Sequence, residues 1–175
     1  ARRQFKKGEM DKGYGLLDKC LGSVSDTVLL IDSVVDMTAL SSGRVELVTS
    51  QVDLTCLVRE VVEEYSMLYG DYTFELRCSR GISVCGEEIR LRQVLGNLLS
   101  NAVKYSERGA VVTVSLRRRT GRVFLKVRDE GMGISEAALP FVFDNMFRSR
   151  DAADRRSGLG FGLFICSQIV ALHGG

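Results

Sequence analysis

The sequence has one histidine, no Cys-x-x-Cys pair and no charge excess of either sign, and each gap narrows what it can do. A lone histidine beside five scattered cysteines, at 20, 56, 78, 85 and 166, cannot supply the clustered ligands of a zinc site. The odd count reads instead as free thiols in a reducing compartment. No stretch approaches the roughly 18 apolar residues of a membrane span, and no basic-then-apolar leader opens the chain. With 24 basic and 22 acidic residues the net charge is only +2, and apart from Arg117 to Arg119 the basic residues are scattered, so nucleic acid is not an expected partner. No Gly-Lys-Ser/Thr occurs, which excludes a P-loop, and the HRD and DFG signatures of protein kinases are absent too.

What is there is enough for one core. A chain of 175 residues, 45% hydrophobic, can bury one domain with a helical extension beside it. Leu17, Leu21, Val24, Val28, Ile31, Val35 and Thr38 alternate four and three apart, a heptad stripe on one helix seam. Periodicity alone leaves open an ordinary amphipathic helix. Ser41, Ser42 and Gly43 end the pattern, Val45 to Val48 reads as a short strand, and a boundary falls near residue 42. A second helix is expected over 54–68, strands over 72–78 and 82–84, and a third helix over 87–105. Ala110 to Leu116 and Arg122 to Arg128 flank Thr120-Gly121 as a β-hairpin, with Val123, Leu125 and Val127 on one face. Uneven alternation of helices and strands points to an α+β sandwich, helices on one face of a mixed sheet. Ser149 to Ser157 is polar and rich in Arg and Asp, as a mobile lid would be. Because the chain stops just after an apolar helical pattern, the expectation is a trimmed piece, with sensors or anchors outside it.

Three features carry chemistry. At about 100° per residue, Arg90, Gln93, Asn97, Asn101 and Lys104 share a helix stripe roughly 80° wide, beside an apolar face of Leu91, Val94, Leu95, Leu98 and Ala102. A solvated face is one reading. Two asparagines argue against it, because Asn is a poor helix former, while its amide oxygen can ligate Mg²⁺ and Lys104 can meet phosphate. Next, Asp129-Glu130-Gly131-Met132-Gly133-Ile134 sets a carboxylate at a strand end before two glycines, a plain turn or a place where backbone approaches a ligand closely. Last, Gly158, Gly160 and Gly162 lead to Leu163 and a helix, which is either a structural loop or an anion site.

In order, these segments resemble the GHKL ATPase superfamily, and within it the sensor histidine kinases. The stretch from Arg90 through Asn97, Asn101, Lys104 and Tyr105 to Ser106 is similar to the N box, Asp129 to Ile134 to the G1 box, Phe143 to Arg148 to the F box and Gly158 to Leu163 to the G2 box. Leu16 to Val48 resembles the second helix of a dimerisation hairpin and the first strand of the catalytic domain. The resemblance implies a two-layer α/β sandwich, the GHKL or Bergerat fold, preceded by a long dimerisation helix. Residues 1–42 would be that helix and 43–175 the ATP-binding catalytic domain.

It also implies ATP and Mg²⁺ as cofactors. Asn101 would be the metal ligand and Asn97 would lie near the metal and its water. Lys104 would contact phosphate or ribose, and Asn97 and Lys104 are the candidate catalytic groups. Tyr105 would border the adenine and Asp129 would take its amine. Gly131, Gly133 and Ile134 would shape the base pocket, while Gly158, Gly160, Gly162 and Leu163 lie along the phosphates. The implied reaction is transfer of the γ-phosphoryl group to a histidine outside this stretch, then relay to a response regulator. Implied partners are a second copy, through the dimerisation helices, and the regulator's receiver domain. Membrane contact, if any, belongs to regions outside this stretch, whose own place is the cytoplasm or another reducing compartment.

Several positions depart from the family. The phosphoacceptor box is missing, and His173 matches a structural position after the G2 helix. Asn145 and Met146 stand where Pro and Phe are frequent in the F box. The family usually continues past His173-Gly174-Gly175 into further strands, without which a sheet edge is exposed. Asn97 occupies the position where hydrolytic members of the superfamily carry a glutamate, which disfavours hydrolysis. A nucleotide-sensing pseudokinase, another GHKL ATPase and a protein serine kinase are the alternatives.

Overall fold

The computed structural model describes residues 47–144 and 160–175. The heptad stripe, the boundary near 42, Asn145, Met146, the 149–157 loop and Gly158 lie outside the described residues.

Strand β1 (Ser50–Asp53) runs straight into helix α1 (Leu54–Leu68). Asp53 makes the transition: its backbone is extended and its carboxylate accepts the Cys56 N–H at 3.0 Å, satisfying an amide that has no partner within the helix. Buried Thr55 then clips the helix start to the segment ahead of β3 (Ser83–Gly86). Its hydroxyl donates to the Ser79 carbonyl at 3.2 Å and accepts the Ile82 N–H at 3.0 Å. Of the strand expected at Val45 to Val48, residues 45 and 46 lie outside the described residues, Leu47 and Val48 precede β1, and pairing begins at Ser50. The reason is register. β1 runs antiparallel to β3 with Val52 opposite Val84, which buries Val52 while Val48 stays 81% exposed.

The main sheet has the order β2 (Thr73–Cys78), β4 (Val111–Arg119), β5 (Arg122–Arg128). β2 and β4 are parallel, which requires a crossover, and helix α2 (Glu88–Tyr105) lies in it. β4 and β5 form the expected hairpin. Thr120 and Gly121 both take positive φ, 48° and 78°, as a two-residue type I′ turn demands, and the hairpin extends to Arg119, three residues beyond the expected end of β4.

Alternation gives the sheet one apolar face. Val112, Val114 and Leu116 of β4 are fully buried, with Phe74 and Leu76 on one side and Val123, Leu125 and Val127 on the other. Onto this face pack Leu57, Val58 and Val61 of α1 and Leu95, Leu99 and Ala102 of α2. Each fully buried leucine contributes about 1.5–3 kcal/mol. This is the two-layer α+β sandwich that the sequence implies. The outer edge of β5 pairs with no strand among the described residues. Helix α3 (Gly162–Leu172) joins through a second cluster, Phe161, Ile165, Cys166 and Ile169 against Val94 of α2. Val170 turns outward, and Ile165 takes the inner position.

Candidate functional site

The two faces of α2 decide where the site lies. Leu95, Leu99 and Ala102 are drawn to the sheet and Val94 to α3, so Arg90, Gln93, Asn97, Asn101 and Lys104 are left half-buried, with Asn97 and Asn101 beside the start of α3. Asn97 Nδ2 donates to the Gly162 carbonyl at 3.4 Å, and Arg90 Nη1 donates to Gln93 Oε1 at 3.2 Å. A Cβ built on Gly162 would stand 3.8 Å from Asn97 and 3.9 Å from the Asn101 amide nitrogen. The first turn of α3 therefore abuts both asparagines. No side chain caps that turn, which suits an anion site, and Leu163 within it is half-buried. Gly160 just ahead has φ 77°, open to glycine and strained for other residues.

The C-terminal end of α2 meets the loop after β5. Asp129 Oδ1 accepts the Gly131 N–H at 2.9 Å, and the Met132 N–H donates to the carbonyl of Tyr105, the last helical residue, at 3.2 Å. A Cβ at Gly131 would fall 2.6 Å from that carbonyl oxygen and 2.8 Å from Asp129 Oδ1. Only glycine lets the loop come this close. Gly133 follows with φ 73°, and Ile134 is half exposed. Lys104 Nζ stands 5.3 Å from the Tyr105 ring centroid, a cation–π distance. Glu130 turns away and accepts the Val111 N–H at 3.3 Å.

Two clusters thus share one helix: Asn97, Asn101 and Gly162 midway along α2, and Lys104, Tyr105, Asp129, Gly131 and Gly133 at its end. His173 is a fastener. Its Nε2 accepts the Glu87 N–H at 3.0 Å, so Nδ1 carries the proton and donates to the Ile169 carbonyl at 2.7 Å. Cys166, 3.7 Å from the Val94 carbonyl, is a thiol pushed up to about 11 by burial. Among the described residues no group of three metal-ligating His, Cys, Asp or Glu side chains occurs, so a cation here would rely on neutral amides and a ligand's own oxygens.

The sequence pattern of the histidine kinase-, DNA gyrase B- and HSP90-like ATPases matches residues 86–175, which takes in α2, the Asp129 loop and α3. This chain belongs to that ATPase family. Its histidine-kinase branch is evident from its relatives. The sensor histidine kinase YkoH of Bacillus subtilis is 36% identical over 137 residues, 78% of this chain and 30% of that protein. The structure of the mycobacterial sensor histidine kinase MprB superposes with a TM-score of 0.65 at 32% identity, covering 73% of this chain and 81% of that one. That of full-length ShkA in complex with AMPPNP gives 0.74 at 29% identity, covering 89% and 33%. The chain spans between 17% and 40% of the length of the curated relatives it matches.

Sequence reasoning missed two hydroxyls that bond the backbone of α2. Tyr65 Oη donates to the Gly96 carbonyl at 3.0 Å, and Tyr72 Oη donates to the Val103 carbonyl at 3.2 Å. Neither belongs to a motif; helical spacing puts Tyr65 with Leu54, Leu57, Val58, Val61 and Val62 on the apolar side of α1, and nothing in it marks either hydroxyl.

Proposed function

We propose that residues 43–175 hold Mg·ATP for transfer of its γ-phosphoryl group to a histidine on a dimerisation hairpin, of which residues 1–42 are the second helix. The observation that carries this reading is the glycine cradle at Gly131. Only glycine lets this loop close onto the end of α2, and that closure sets the Asp129 carboxylate beside Tyr105, at the end of the helix that carries Asn97, Asn101 and Lys104.

Asp129 keeps one oxygen in its own turn, which fixes the carboxylate to receive an exocyclic amine; such a charged hydrogen bond contributes about 1.5–3 kcal/mol. Tyr105, Gly131, Gly133 and Ile134 would line the base. Asn101 would hold the metal through its amide oxygen without adding charge, with Asn97 beside it. Lys104 would neutralise phosphate, and Gly158, Gly160, Gly162 and Leu163 would follow the phosphates at the uncapped start of α3. Mg·ATP, when bound, would supply the transferable phosphoryl group and a divalent charge to offset its phosphates. The chain's part is to position and to exclude water, since the Asn97 amide cannot act as the general base that hydrolysis needs. A second copy through the dimerisation helices and a receiver domain downstream complete the reading.

The test supplies a histidine-bearing hairpin in trans with ATP and Mg²⁺. Acid-labile, base-stable phosphate on the hairpin is the expected result. Nucleotide binding with no such phosphate would favour a sensing module over a kinase.

A further inference from the structure

Resting on that reading of the site, we infer that the hydroxyls of Tyr65 and Tyr72 fix the roll of α2 about its axis and so aim Asn97, Asn101 and Lys104 as a set. Their two acceptors, the carbonyls of Gly96 and Val103, directly precede Asn97 and Lys104 in the chain. They are seven residues apart, two turns of helix, and therefore lie along one line of its surface. That line is the flank of the stripe opposite α3: at 100° per residue Val94 and Leu98, which meet α3, fall about 60–100° to one side of Asn97, while Gly96 and Val103 fall about 100–120° to the other. Packing on α3 resists roll one way, and the tyrosines resist it the other.

The tyrosines are themselves braced. Tyr65 lies 5.6 Å from the Tyr69 ring and edge-on to Phe74 at 6.3 Å, and Tyr69 meets Tyr72 edge-on at 6.3 Å. Offset and edge-to-face contacts of this kind hold aromatic rings in place, so the hydroxyls arrive at α2 from a fixed frame tied to α1 and the sheet. Gly96 makes the frame matter. Glycine inside a helix is its most pliable residue, and this one sits at the turn that presents Asn97. A roll of about 10° would displace an atom about 6 Å from the helix axis by about 1 Å, enough to cost on the order of a hundredfold in a positioned reaction.

Tyr65→Phe and Tyr72→Phe remove one oxygen each and keep the rings. Calorimetry with Mg·ATP, paired with the side-chain amide resonances of Asn97 and Asn101 in the nucleotide-free chain, tests the assignment. Each single variant is expected to weaken binding about threefold and the double variant at least tenfold, with both amide resonances shifted. Val52→Ala, buried in β1, a strand that pairs with β3 and packs on α1, is the control: it should lower the melting temperature at least as much while leaving affinity unchanged. Affinity within twofold of native in the double variant, or an equal loss in Val52→Ala, would overturn the inference. Native-like affinity in Asn101→Asp would mean instead that the nucleotide reading itself has failed.

Discussion

Two glycines on or beside α2 show how much a single Cβ can decide. At Gly131 the added carbon would stand 2.6 Å from the Tyr105 backbone oxygen, which cannot move without disturbing the helix end. At Gly96 it would meet only the Tyr65 hydroxyl, at 3.7 Å, an ordinary contact. Gly131→Ala should therefore cost about 1–3 kcal/mol, as overpacked sites do, whereas Gly96→Ala should raise stability by about 0.8–1 kcal/mol through helix propensity. Urea melts of the two variants check this, and a stabilised Gly131→Ala would show that the loop is not held against α2. A second residue-scale expectation concerns alkali. Burial raises the Cys166 thiol from 9.0 to about 11 and the Tyr65 phenol from 10.0 to about 12. The folded chain keeps both protons after the unfolded chain has lost them, so the unfolded state binds fewer protons and stability falls with rising pH. This contribution is complete below pH 9 and disappears as pH passes from 9 to 12, a loss on the order of 2 kcal/mol per group. Thermal melts across that range should show the decline, and Tyr65→Phe should flatten its upper part; an unchanged profile would place the alkaline transition elsewhere.

Among elements, α2 was the most legible, because one sequence repeats apolar and polar residues at helical spacing on adjoining faces, and its apolar face packs on the sheet and on α3. β1 was the least. Four residues with one inward side chain, Val52, give no alternation to read, and the β-branched Val45 and Val48 outside it were the stronger local signal. Hydroxyl-to-carbonyl bonds such as Tyr65 to Gly96 leave no pattern at all, since they depend on how two elements cross. The hairpin shows a conflict of its own. Its turn chemistry is right, yet Arg119 faces Arg122 across the last pair, with Arg117, Lys126 and Arg128 also on the strands' solvent side. Like charges directly opposite are destabilising by roughly 0.2–1 kcal/mol. Arg119→Glu should thus raise the melting temperature at low salt, and the gain should shrink at 1 M salt, where screening reaches about 3 Å. A gain indifferent to salt would assign it to packing.

For the whole molecule, the order of the four boxes made the family and the sandwich readable in the sequence, and the described residues of the first, second and fourth boxes lie on one helix and its two neighbours. What could not be read was why they converge. The close approach at Gly131, the docking of Gly162 on the two asparagines and the fastening of α3 through His173 come from packing between distant segments. Whether this convergence is a Mg·ATP site is measured directly by calorimetric titration of ATP, in the presence of Mg²⁺, into the native chain, Asn101→Asp and Asp129→Ala. Saturable binding in the native chain, lost in both variants while their folds persist, is the predicted result. Unchanged affinity in both variants would contradict it.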